Sequence, residues 1–221
     1  MRAAACSGRR AGARRRPPGR LDPVSTLDEL RAEIAAHESN AWATAQGWKP
    51  LVIGEPSARI LILSQAPGRL AQESGIAFDD PSGRLLRSWM GVTDAEFWDP
   101  AQVAILPMDA YFPGSRPADG AGRRPSGDLP PRRAFAERWH PRVLELLPEV
   151  RLRLVIGGYA QRRYLGAGSV TDNVRAAVSF LPFFPLVHPS PLARGWRSAN
   201  PWFAESTVPR LRREVRAALE S

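Results

Sequence analysis

The sequence predicts an α/β fold, a parallel sheet covered by helices on both faces, and three observations lead there. Four short apolar runs end in turn residues, as buried strands do. Segments with apolar residues at helical spacing stand between them, and a crossover joining parallel strands has to return across a face of the sheet. At 221 residues, with 43% hydrophobic and 24% charged side chains, the chain has the length and apolar content of one globular domain.

The elements follow in order. Thr26-Leu-Asp-Glu29 is a capping box, and Leu27, Leu30 and Ile34 recur at helical spacing to about His37. Arg59 to Ser64 is an apolar run that ends in Gln-Ala-Pro-Gly, the pattern of a buried strand meeting a turn. Pro81-Ser-Gly83 then opens a helix through Leu85, Leu86, Trp89 and Met90 that Gly91 stops. Further strands are expected at Val103 to Leu106, Val155 to Gly157 and Phe183 to Val187. Helices are expected around Tyr159 to Leu165 and from about Glu205. Between Pro107 and Pro131, six prolines and four glycines in 25 residues predict a long connection of the functional or mobile kind.

Composition excludes several classes. A lone cysteine, Cys6, rules out an intramolecular disulfide, a Cys-x-x-Cys redox pair and a cysteine-built metal centre. No stretch approaches the roughly 20 apolar residues that span a bilayer, and the arginines at the N-terminus lack the apolar run of a secretory signal. A cytoplasmic protein without membrane partners is expected. The net charge of +9 invites a nucleic-acid reading, yet seven arginines stand in residues 1–20 with no acid among them. The rest of the chain is nearly neutral. Residues 1–22 are expected to be a disordered arginine-rich extension, with a phosphate-seeking arm as the other reading, and residues 23–221 the folded domain.

In an open parallel sheet, ligands sit outside the carboxyl ends of the strands. Those ends carry Ser64-Gln-Ala-Pro-Gly68, Pro107-Met-Asp-Ala-Tyr111 and His188-Pro-Ser-Pro191, which should converge on one cleft. The two prolines around His188 and Ser190 rigidify the backbone, and a neutral imidazole fixed there can donate a hydrogen bond to an oxygen that gains negative charge. Gln65 brings an amide to the cleft, and Gly68 allows close approach. Phe78 offers a face for stacking a planar base, and Asp80 a carboxylate able to position water. The plainer readings are a core phenylalanine and a helix N-cap.

In order and separation these motifs resemble the uracil-DNA glycosylase superfamily, which pairs a first motif of the form Gly-Gln/Glu-Asp/Ala-Pro-Tyr/Gly with a second, His-Pro-Ser-Pro-Leu. The second matches over His188 to Leu192; the first matches with Ser64 in place of the family glycine. The resemblance implies a three-layer α/β/α sandwich with a central four-stranded sheet, and a monomer that acts on DNA without a cofactor or metal. It implies flipping of a deaminated base, uracil foremost, and hydrolysis of its N-glycosidic bond to leave an abasic site in base excision repair, at the nucleoid. Carried over by position, His188 and Asp80 would be catalytic, and Gln65, Ala66, Phe78 and Asp109 would bind the base. Pro67, Gly68, Ser190, Leu192 and Arg194 would bind DNA, with Leu192 filling the gap in the base stack.

Three departures bear on that carry-over. Ala66 stands where the best-known branch has a water-activating aspartate, so Asp80, in an Asp-x-Ser-Gly pattern, is the expected replacement. Pro107 stands about where uracil-specific members have an asparagine that reads the base edge, which leaves that reading to backbone groups or Asp109. The four cysteines of the iron-sulfur branch are absent. Arg197 joins Arg194 beside the wedge, Trp196 stands out from the core tryptophans, and Arg116, Arg123, Arg124, Arg132 and Arg133 form a second expected phosphate-facing edge. Two other readings compete: a non-catalytic nucleic-acid-binding relative, and a small-molecule enzyme using Ser190 and His188 as nucleophile and base. The second lacks a third triad member and any Gly-x-Ser-x-Gly elbow.

Overall fold

The computed structural model describes residues 26–117 and 127–221. The expected extension at residues 1–22, and Arg123 and Arg124, lie outside them. In chain order, α1 (Leu27–Ala36) and α2 (Ala41–Thr44) precede β1 (Ile60–Ser64), and α3 (Arg69–Ser74), α4 (Pro81–Met90) and α5 (Asp94–Trp98) lead on to β2 (Val103–Pro107). Next come α6 (Arg133–Glu145), β3 (Leu152–Ile156), α7 (Gly157–Tyr164), α8 (Val170–Arg175) and β4 (Phe183–Leu186), and α9 (Arg194–Ala199) and α10 (Val208–Leu219) follow. No helix among the described residues is long and apolar enough to cross a membrane.

The four strands are parallel, in the order β2-β1-β3-β4. Side chains alternate across a strand, so each strand feeds both faces of the sheet. Ile60, Ile62, Val103, Ile105, Leu154 and Phe184 pack with α4, α5, α8 and α10. Leu61, Leu63, Ala104, Leu106 and Val155 pack with α1, α2, α6 and α7. The result is a three-layer α/β/α sandwich.

Local chemistry accounts for the element ends. Thr26 and Glu29 close the expected capping box, and Asp80 caps α4 through a 2.7 Å bond from the Gly83 N–H, with Pro81 in the first turn. Gly91 ends α4 in the left-handed conformation, φ +68°. The last helix begins at Val208, not at Glu205, because residues 203–207 form a single wider π-helical turn. Helix α6, the β2-to-β3 crossover, was not foreseen: Pro141 stands inside it, and a proline there removes one helical hydrogen bond.

The proline- and glycine-rich connection is tied at its root. Asp109 is completely buried and receives hydrogen bonds from Arg132 Nε at 2.6 Å, Arg132 Nη2 at 2.8 Å, and the backbone N–H groups of Arg132 and Tyr111. The same guanidinium donates to the Ser39 carbonyl and lies against the Trp42, Tyr111 and Phe135 rings. Farther out, an antiparallel bridge between Ser115 and Asp128 narrows the connection into a short ribbon. Breaking a buried ion pair from one side leaves the other charge without a partner. The variant Arg132→Ala is therefore expected to lose about 3 kcal/mol of stability in urea denaturation; a loss under about 0.5 kcal/mol, the size of an exposed pair, would contradict this account.

Candidate functional site

From β1 the chain runs outward to β2, and from β3 it runs the other way to β4, so the switch point lies between β1 and β3. A cleft of about 370 Å³ opens there, at the carboxyl ends of the strands. Gln65, Ala66, Pro67 and Gly68 from the end of β1 line it, with Phe78, Asp80 and Ser82 from the entry to α4 and His188, Ser190 and Leu192 from the segment after β4. Nine of the eleven residues singled out in the sequence thus meet in one cavity.

His188 is held with its ring largely out of water. Burial pushes its pKa below the usual histidine value, and the nearby Asp80 carboxylate opposes the shift without reversing it. The imidazole is neutral at pH 7, and its Nδ1 atom is buried with no hydrogen-bond partner among the described residues. The ring packs on the start of α7: a β-carbon on Gly157, whose φ is +78°, would meet His188 Cδ2 at 3.5 Å. Glycine at that position satisfies both the backbone and the close approach.

Phe78 is the one non-glycine residue with positive φ among the described residues, at 60°. Such a conformation costs about 1–2 kcal/mol in an L-residue and persists only when its surroundings fix it. Here they do. Arg87, itself 6% exposed, donates to the Phe78 carbonyl, is ion-paired with Asp94 and covers the Trp98 ring at 4.3 Å. Trp98 Nε1 donates to the Ala77 carbonyl, and Phe97 meets the Phe78 ring edge to face. A β-carbon on Gly83 would come within 1.8 Å of the Phe78 carbonyl oxygen, so glycine is required there. The strain aims a half-buried aromatic face into the cleft.

Asp80 does two things at once. Oδ1 accepts the capping bond from Gly83, while Oδ2 faces Gly68, where a β-carbon would stand 3.6 Å away. Ser190 makes no side-chain capping bond to the turn it begins, which leaves its hydroxyl for a ligand. Leu192 is 65% exposed at the rim, beside Gly127 of the ribbon.

Several expectations need correction. Asp109 does not line the cleft; its carboxylate is consumed by Arg132, which also removes Arg132 from the phosphate-facing edge. Arg194 is not part of the cleft lining, but it is exposed two residues from Leu192, which leaves its expected contact with DNA standing. Arg197 turns inward, donating to the Ser190 carbonyl at 3.1 Å, and Arg133 pairs with Glu137. Trp196 is structural: it donates to Thr171 Oγ1 and packs edge-on against Trp202 and Phe203. Of the expected phosphate-facing edge Arg116 does line the cleft, which also contains residues that the sequence reading passed over, namely Ser82, Asp128 and Tyr159. Tyr159 follows Gly157-Gly158 directly after β3, so the strand-end rule that picked out the other three segments would have found it.

The family model of the uracil DNA glycosylase superfamily matches residues 51–212. The chain belongs to that superfamily. Membership places it among glycosylase-type hydrolases that act on DNA. The matched span contains all four strands and every cleft residue named above.

Behind the cleft, His140 supports the end of β2. Its Nε2 bonds with the Pro107 carbonyl at 3.0 Å and its Nδ1 with the Tyr164 hydroxyl at 2.5 Å. Burial pushes the His140 pKa down to about 4. The unfolded chain therefore binds a proton that the native protein refuses between pH 6.5 and about 4, and stability falls as pH drops through that window. The expected loss from His140 is roughly 3 kcal/mol, with His188 adding in the same direction. His140→Gln should flatten most of that slope in urea denaturation at pH 7, 5.5 and 4; an unchanged slope would contradict the burial of a neutral ring.

Proposed function

We propose that this superfamily member excises a deaminated base, uracil foremost, from DNA and leaves an abasic site for base excision repair. The observation that carries the reading is a half-buried, neutral His188, its Nδ1 sealed from solvent, in a cleft that Phe78, Gln65 and Asp80 also line. A flipped base stacks on Phe78, and Gln65, whose amide has no hydrogen-bond partner among the described residues, meets its polar edge. Ala66 forms the close-packed wall beside it. Pro67, Gly68 and Ser190 take the backbone on either side, and Leu192 fills the vacated stack.

The C1′–N bond breaks with its electron pair leaving on the base, whose ring oxygen gains negative charge while the sugar becomes oxocarbenium-like. The His188 ring N–H donates to that oxygen, an interaction that strengthens as the charge grows. A neutral donor suits this step because it keeps its own proton. Water then adds to C1′, and Asp80 Oδ2 accepts the proton that the water releases. With Ala66 at the first motif, Asp80 is the carboxylate within the cleft whose oxygen faces that motif.

The test is excision from duplex oligonucleotides containing uracil, hypoxanthine, xanthine or a thymine mismatch, read as alkali-labile strand breaks. His188→Ala is expected to slow single-turnover excision about 100-fold while leaving the Kd for DNA within twofold. Asp80→Asn keeps the helix cap, because asparagine caps as well as aspartate, and should slow excision by about 100-fold or more without loss of stability. Tight, salt-sensitive binding with no excision of any of the four bases would establish a non-catalytic relative instead, the reading that Ala66 favours.

A further inference from the structure

The segment that carries His188 leaves the sheet at Leu186, whose partner Ile156 is the last paired residue of β3. Arg153 N–H donates to the Pro182 carbonyl, and parallel pairing advances two residues at a time. The Leu186 carbonyl would next meet the Gly157 N–H. Gly157 is also the first residue of α7. The Leu186 carbonyl also takes a side-chain donor: Gln161 Nε2 donates to the Leu186 oxygen at 2.9 Å and lies 3.4 Å from the Val155 oxygen.

That amide is itself fixed. Gln161 is 2% exposed, and its Oε1 accepts from Asn173 Nδ2 on α8 at 3.1 Å. Asn173 is buried too, against Gly168, where a β-carbon would collide with Asn173 Oδ1. Buried amides of this kind are retained only when their hydrogen bonds are made, and together they join β3, β4, α7 and α8 at one point. Gln161 lies one helical turn beyond Gly157, on the same side of α7, and Gly157 is the residue on which the His188 ring rests. Helix α7 thus touches the histidine segment twice, at Leu186 through Gln161 and at His188 through Gly157.

We propose that Gln161, backed by Asn173, is a positioning residue for His188: it sets where the end of β4 stops and so where the imidazole meets the base. The inference rests on the excision reading for its activity arm alone. Gln161 touches neither the cleft nor DNA, so its loss affects the chemical step and spares binding. Misplacing a catalytic group by about 1 Å is enough to cost up to about 100-fold in rate.

Three variants test it. Gln161→Met keeps the shape and removes the donor; it is expected to slow single-turnover excision at least tenfold with the Kd for damaged duplex unchanged within twofold. Gln161→Glu donates to the Leu186 carbonyl only when protonated, so its excision rate should approach wild type near pH 6 and fall toward that of Gln161→Met near pH 8.5. Asn173→Leu, which leaves Gln161 Oε1 without its donor, should give a smaller loss of the same kind. A Gln161→Met rate equal to wild type, or rate and affinity falling together in that variant, overturns the proposal, as does a Gln161→Glu profile parallel to wild type. Crystal structures of wild type and Gln161→Met provide the arm that needs no activity. A displaced His188 ring supports the positioning role even if no tested base is excised, and an unmoved ring overturns it.

Discussion

A single uncharged imidazole at the end of β4 is the constraint around which the rest of this molecule is arranged. Its neutrality follows from burial, and the nearby Asp80 carboxylate is not enough to charge it. Burial in turn demands neighbours that fit closely: Gly157 beneath the ring, the proline-bounded turn beyond it, and a strand end that stops at a fixed height. A fully exposed histidine would be partly protonated near neutrality and freer to move. Either would weaken a hydrogen bond meant to strengthen only as a base departs with its electrons.

The opposite wall is built on the same terms from different chemistry. Phe78 sits in a backbone conformation that no L-residue prefers, and Arg87, Trp98, Phe97 and Gly83 hold it there. Local strain sustained by surrounding packing produces a rigid aromatic face. The rim is attached differently again. The ribbon that brings Arg116 and Asp128 to the cleft is rooted by the Asp109–Arg132 pair, in which the carboxylate accepts three bonds from Arg132 and one from the Tyr111 N–H.

How much of this the sequence disclosed depends on whether the signal was local. Helix α4 was readable from end to end because Asp80, Pro81 and Gly91 each act within a few residues, and the four strands were readable as short apolar runs between turns, although β3 starts at Leu152, three residues before the expected run, because Arg153 interrupts its apolar pattern. The strand-end rule then gathered Gln65, Gly68, His188 and Ser190 into one cleft before any contact was known. What stayed hidden was made of distant partners. Asp109 looks like a cleft carboxylate in the sequence, and only the fold delivers Arg132, 23 residues on, to consume it. Arg197 reads as a phosphate contact until its guanidinium is found on the Ser190 carbonyl. Gln161 and Asn173 look like ordinary polar helix residues. Their importance comes from the Leu186 carbonyl at the end of β4, which only the fold brings to the Gln161 amide. Helix α6 was masked by Pro141, whose cost the packing of Phe135, Trp139 and Val143 offsets.

The central claim is most directly tested by ¹⁵N-edited NMR of the His188 ring in the free protein, titrated from pH 4 to 8. The account predicts an uncharged ring at pH 7, in one tautomer, that takes up its proton only below the ordinary histidine value of 6.5. A ring that is charged at pH 7, or that titrates at or above 6.5 with both tautomers populated, would contradict it.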